Sequence, residues 1–311
     1  MIAFREVYRR QAALLVRILP HVAKEECFAL KGGTAINLFV RDMPRLSVDI
    51  DLTYLPLTSR RPALRAIDAA LKRVAQRIRK ALGGAQITAT ETKPENEVIN
   101  LLVRHDGVQV KIEVTPVLRG CVYVPELRRV APSVEAAFGF AEIRVVSFAD
   151  LYAGKIVAAL DRQHPRDLFD VRDLLANEGI DDDIRRAFVV YLLSHNRPMA
   201  EILAPARKSI ATEFERVFDG MTAQPIFIEE LTAAREQLIA SIVGRAPEAH
   251  WRFLISFERG EPDWSLLGVA GARELPAVRW RQRNLDRLAT EERTKLALRL
   301  EKVLLGSGKV G

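Results

Sequence analysis

The sequence predicts an α+β protein, with a mixed-sheet core over residues 1–146 and an all-α domain over residues 147–311. Three observations predict it. Up to residue 146, stretches of period-two alternation are interleaved with helical stretches; after it, apolar residues recur only at helical spacing. A chain of 311 residues also has the length of two domains.

The elements follow in order. Phe4, Val7, Leu14, Leu15 and Ile18 fall near one stripe, so residues 4–22 read as an amphipathic helix that ends close after Pro20. Cys27-Phe28-Ala29-Leu30 has strand character. Lys31-Gly32-Gly33-Thr34 turns the chain into a helical run, Ala35–Val40. Residues 47–54 alternate strictly. Val48, Ile50, Leu52 and Tyr54 take one face; Ser47, Asp49, Asp51 and Thr53 take the other. Pro62 opens a long helix that runs to about Leu82 and closes on Gly83-Gly84. Residues 98–104 and 108–114 make a hairpin across His105-Asp106-Gly107, and Glu113 lies on its polar face. Pro116, Pro125 and Pro132 mark an irregular crossing segment. Ser147 caps a helix to Leu160, Pro165 starts the next, and Asp181-Asp182-Asp183 precedes a third, Ile184–Leu193. The remainder reads as helices and short loops.

Composition narrows the function classes. Hydrophobic residues make up 49% and charged residues 28%, which excludes a disordered chain. Two cysteines are too few for a disulfide framework, and fit reduced thiols in a cytoplasmic protein. No apolar run approaches the ~20 residues that span a bilayer, and the N-terminus lacks the apolar stretch of a secretory signal. The five histidines show no metal-ligand spacing, and hydrolase, P-loop and dinucleotide fingerprints are absent. A net charge of +7 allows a polyanionic partner without demanding one.

The chemistry concentrates in the Gly-Gly turn and the Asp49-x-Asp51 strand that follows it. Two carboxylates side by side on one strand face repel each other unless a cation lies between them. Mg²⁺ suits that place, because it takes oxygen ligands and bridges carboxylates to substrate phosphates. Gly32, Gly33, Thr34 and Ser47 would cradle those phosphates, through close backbone approach, N–H donors and hydroxyls. A strand, a glycine turn, a helix and an Asp-x-Asp strand within about 25 residues thus point to phosphoryl or nucleotidyl transfer.

The run Lys31-Gly32-Gly33-Thr34-Ala35 with Arg45-x-Ser47-x-Asp49-Ile50-Asp51-Leu52 resembles the AbiEii/AbiGii nucleotidyltransferase toxins, a branch of the DNA polymerase β-like nucleotidyltransferases. Lys155-x-x-Ala158-x-x-x-Arg162 and Arg166-Asp167-Leu168-Phe169-Asp170 resemble the family's second block. Arg252–Phe257, Pro262-Asp263-Trp264 and Leu275–Trp280 extend the likeness into the tail. The chain departs from the superfamily in having Gly33-Thr34 where Gly-Ser is usual. The resemblance implies a polymerase β-like core, a helical C-terminal domain, NTP and Mg²⁺, and a toxin held by a cognate antitoxin in a toxin–antitoxin or phage-defence pair. It implies transfer of NMP to an RNA 3′ end, with tRNA as the acceptor. Asp49 and Asp51 match the metal pair, Lys155 a lysine that meets the NTP phosphates, and Asp170 the acid closing the second block. Arg166 stands beside them as a nucleotide contact, and Glu113 as a third acid. The alternatives are transfer to a small molecule or a protein hydroxyl, or a non-catalytic nucleotide-binding module. An ion-pair network among Arg162, Arg166, Asp167 and Asp170 is the competing reading of the second block. The basic helix after Pro62 could bind an RNA backbone. Trp280, amid Arg279, Arg281, Arg283 and Arg287, reads as core packing, with stacking on a 3′ base as the other option.

Overall fold

In the computed structural model, residues 5–269 and 271–306 are described. Two compact units emerge. One runs to Ser147 and takes in Phe218–Ile226; the other takes Phe148–Val217 and the chain from Phe227 onward. One cut near residue 146 therefore leaves out a return of the chain, which local periodicity does not reveal.

The first unit begins with α1 (Glu6–Ala23), β1 (Phe28–Lys31) and the short helix α2 (Gly32–Ala35), which runs into a π-helical turn, Ile36–Val40. Next come β2 (Asp49–Tyr54), α3 (Arg60–Ala81), β3 (Gln86–Glu91), β4 (Val98–His105), β5 (Val108–Val114), β6 (Glu126–Arg129), α4 (Pro132–Phe138) and β7 (Glu142–Val145). The strands form one mixed sheet in the order β3-β4-β5-β2-β1-β7-β6. β2 lies antiparallel to β1 and parallel to β5 at the centre. The β4–β5 turn places Asp106 and Gly107 at positive φ, the backbone a tight hairpin requires.

Alternation sorts the two faces. Ile50, Leu52, Val110, Ile112 and Val114 are fully buried, and α1 and α3 pack on the sheet. Leu15, Ile18 and Leu19 of α1 and Ile67, Leu71 and Val74 of α3 are buried too. Each such side chain contributes about 1.5–3 kcal/mol of burial, which fixes the register of β2. Once Ile50 and Leu52 point into the core, Asp49 and Asp51 must point the other way. The returning segment supports the approach to β2: Leu46 N–H donates to the Met221 carbonyl (2.8 Å) and Ala223 N–H to that of Pro44 (2.8 Å).

The second unit is helical: α5 (Phe148–Asp161), α6 (Pro165–Asn177), α7 (Asp182–Leu193), α8 (Met199–Leu203), α9 (Ala211–Glu213), α10 (Ile228–Ile239), α11 (Glu248–Glu258), α12 (Pro276–Asp286) and α13 (Thr290–Gly306). Trp264 packs against Phe253 and Phe257, with ring centroids 5.0 and 6.3 Å apart. Trp280 corrects the core-packing expectation, since 52% of it is exposed. Leu275, Ala277, Val278 and Leu285 supply the buried positions around that helix instead. Among the described residues no helix is long and apolar enough to cross a membrane.

Candidate active site

Register assembles the polar face. Lys31 pairs with Asp51 across β1–β2, Asp51 with Glu113 across β2–β5, and Glu113 with Asn100 across β5–β4. Lys31, Asp51, Glu113 and Asn100 thus form one rung on the face opposite the core. Asp49 lies one same-face position along β2, opposite Lys111. Neighbouring strands are ~4.8 Å apart, so the three carboxylates, Asp49, Asp51 and Glu113, are close neighbours.

Two lysines missed in the sequence reading temper this negative row. Lys111 donates to Glu113 in an ion pair. That hydrogen bond, opposed by burial and aided by the charges of Glu113, Asp49 and Asp51, raises the proton affinity of Lys111 above the ordinary lysine range. Lys31 Nζ donates to Thr115 Oγ1 at 2.9 Å. Burial holds Lys31 below the ordinary range, and Asp51 and Glu113 offset part of that effect. Neither cation announced itself, because each depends on which strand becomes its neighbour.

The glycine turn closes over the carboxylates. Gly32 has φ +72°, and a Cβ there would lie 2.6 Å from Asp51 Oδ2. A Cβ at Gly33 would lie 2.7 Å from Arg45 Nη2 and 3.2 Å from Ser47 Oγ. A larger residue at either position would push those side-chain ends aside, and at Gly32 it would also have to adopt a φ that other residues rarely take. The Thr34 hydroxyl, only 1% exposed, bonds the Asp49 carbonyl and lies 2.9 Å from Ser47 Oγ, which ties the helix to the start of β2. Ser47 is buried beside it.

Hard oxygen donors on one face suit a divalent cation such as Mg²⁺. Asn100 Oδ1, next to Glu113 on the rung, is buried without a hydrogen-bond partner among the described residues. Among the described residues no three His, Cys, Asp or Glu side chains close into a cage. Mg²⁺ does not need one, since it keeps waters and takes one or two carboxylates together with substrate phosphates.

In the helical unit the second-block residues close on one another. Lys155 Nζ lies 2.8 Å from Asp167 Oδ1 and 2.9 Å from Asp170 Oδ2. Arg162 holds Asp167 at 2.5 and 3.0 Å. All but Arg162 are at most 7% exposed. Burial alone would raise the Asp167 carboxyl, but Lys155 and Arg162 outweigh it and hold the group well below the usual carboxylate range. The lysine expected to meet NTP phosphates is therefore occupied by two buried acids. Arg166 is half-buried at the start of α6, where its N–H donates to His164 Nδ1 at 3.1 Å.

Comparison with known proteins agrees with this architecture. The family model described as "Nucleotidyl transferase AbiEii toxin, Type IV TA system" matches residues 13–282. Among solved structures the chain is similar to MenT4, a nucleotidyltransferase toxin from Mycobacterium tuberculosis H37Rv. The TM-score is 0.59 at 19% identity, over 90% of this chain and 95% of that one. No curated protein matches. The chain belongs to the AbiEii nucleotidyl transferase toxins of type IV toxin–antitoxin systems, enzymes that act with a nucleotide substrate and an antitoxin partner.

Proposed function

We propose that the protein transfers a nucleoside monophosphate from an NTP to the 3′ hydroxyl of an RNA, with tRNA as the acceptor and Mg²⁺ held by Asp49 and Asp51. The observation that carries this reading is the rung Lys31–Asp51–Glu113 lying under the Gly32-Gly33 turn. Bound there, Mg²⁺ would supply Lewis-acid stabilisation of charge on the phosphoryl oxygens. Gly32 and Gly33 leave room for the triphosphate, and Ser47 offers a hydroxyl at its edge. Thr34 positions β2 from behind. The acceptor oxygen bonds the α-phosphorus, the α–β bridging bond breaks, and pyrophosphate leaves with the electron pair. Glu113 takes the acceptor proton, and Lys31 and Lys111 limit the repulsion among the acids. The reading does not require Lys155, Arg166 or Asp170 to touch the nucleotide.

An RNA acceptor is supported by the exposed Trp280 on α12, with Arg279 and Arg283 on that helix and Arg287 at its C-cap also exposed. An exposed aromatic beside cations suits an unpaired base and its phosphates. α3 supports it less than its composition suggests. Arg73 and Arg77 close on Glu25, Lys72 on Asp68 and Arg60 on Glu95, which leaves Arg61, Arg65, Arg79 and Lys80 as exposed cations outside those ion pairs. Growth arrest by such transfer would suit a phage-defence role.

Incubation with each of four α-labelled NTPs and purified tRNA tests the proposal. Label on the tRNA 3′ end is expected, with Mg²⁺ required. Label entering a protein or a small molecule but no RNA would establish the rival acceptor, and no label anywhere would indicate a binding module.

A further inference from the structure

Among the described residues, Arg119 is a buried cation without an ion-pair partner. It is 7% exposed, and its Nε and Nη1 atoms are buried with no hydrogen-bond partner. Arg281 and Arg293 also have a buried Nε without a partner, but Arg281 has an acid to answer its charge. Arg235 donates to Gln163 Oε1 and the Lys208 carbonyl, and Arg281 donates to Glu258 at 3.0 Å. Burying an unpaired guanidinium is costly, so a missing anion is the natural complement.

Its position is fixed by backbone. Thr115 N–H donates to the Leu52 carbonyl (3.4 Å) and Gly120 N–H to that of Tyr54 (2.8 Å). Those bonds pin residues 115–120 along the end of β2. Tyr54 is three residues beyond Asp51, about 10 Å at strand rise. Arg60 adds a like charge, which Tyr54 offsets in part. Arg119 is held below the ordinary arginine range by burial and then by the like charge of Arg60, the first residue of α3. That helix has no acid in its first turn and no side-chain cap.

We propose that Arg119 is a phosphate-binding residue, whose buried Nε and Nη1 donors receive one phosphate group, from the NTP or from the acceptor RNA backbone. The choice between those two sources rests on the transfer reaction proposed above; phosphate binding itself does not. Arginine suits the role, because its donors stay charged and fixed in one plane.

The test uses the full chain and Arg119→Gln, which removes the charge and keeps a polar side chain. Melting is followed in pyrophosphate against chloride at matched ionic strength. Pyrophosphate is expected to raise the melting temperature of the parent but not of the variant, and the unliganded variant should melt no lower than the parent. Titrations with a nonhydrolysable NTP and with tRNA then assign the source. The affinity that falls, by roughly ten- to a hundredfold, identifies the phosphate bound. Unchanged affinity for both ligands with equal protection by pyrophosphate would overturn the proposal. So would an unliganded variant that melts lower yet binds both ligands normally, since Arg119 would then be structural. If the parent labels no RNA while pyrophosphate protection still depends on Arg119, the transfer reading fails and the phosphate site stands.

Discussion

The two acid-bearing regions of this protein use the same side chains to opposite ends. In the helical unit, Lys155, Asp167 and Asp170 exhaust their charges on one another below the surface, with the exposed Arg162 closing on Asp167 from outside. On the sheet, Asp49, Asp51 and Glu113 line one face, half-buried, with Lys31 and Lys111 at the margins and a side-chain-free turn above. A closed set of charges holds helices together. An open row of like charges under glycines is poised for a ligand of the opposite sign. The difference lies in accessibility and in the ratio of acids to nearby cations, not in residue type.

The largest stability effect should come from opening the closed set. Lys155→Ala leaves two buried carboxylates without their ammonium and should cost about 3–5 kcal/mol, read by urea unfolding. A loss below 1 kcal/mol would show that the cluster is not what secures α5 to α6. On the open row the balance reverses. Glu113→Gln should lower label transfer about a hundredfold while the unfolding midpoint stays in place. A variant that loses stability and keeps activity would erase the distinction between the two regions.

A smaller effect sharpens the same comparison at the edge of the closed set. His164 is the N-cap of α6, and its Nδ1 accepts from Arg166 N–H only when unprotonated. Burial first, and the Arg166 charge second, push its pKa down from 6.5 to about 4. The folded value is below the unfolded one, so the unfolded chain binds the proton more readily. Stability from this group is complete above pH 6.5 and fades as the pH falls towards 4. His164→Asn supplies a cap that does not titrate, so it should flatten this slope in melting scans from pH 7 to 4.5, by about 1 kcal/mol. An unchanged slope would place the proton elsewhere. The smallest effect belongs to the solvent face of α3. Arg65→Glu with Lys80→Glu should weaken tRNA binding severalfold and lower its salt slope by about 2, with melting unchanged. Unaltered binding would confine RNA contact to other surfaces.

Strongly periodic segments were legible in the sequence. The strand, glycine turn and Asp-x-Asp strand, the 98–114 hairpin, α3 and α5–α7 all announce themselves by spacing and caps. β3 did not, because Gln86–Glu91 is a largely exposed edge without apolar alternation. β6 and β7 are four-residue strands, too short to show a period. The return of Phe218–Ile226 to the first unit is a long-range pairing that no local pattern encodes. The Asp49–Asp51 pair could be read from alternation alone. Lys31, Lys111 and Arg119 could not, since their neighbours follow from strand order and loop course. The bond from the Thr34 hydroxyl to the Asp49 carbonyl was equally illegible, since only the turn of the helix shows where that hydroxyl points.

The central claim is that the open carboxylate row carries the chemistry. Asp51→Asn, assayed for label transfer from α-labelled NTP to tRNA in the same preparation used for melting, tests it most directly. The row predicts a loss on the order of a thousandfold at an unchanged melting temperature. Transfer at the parental rate would contradict it.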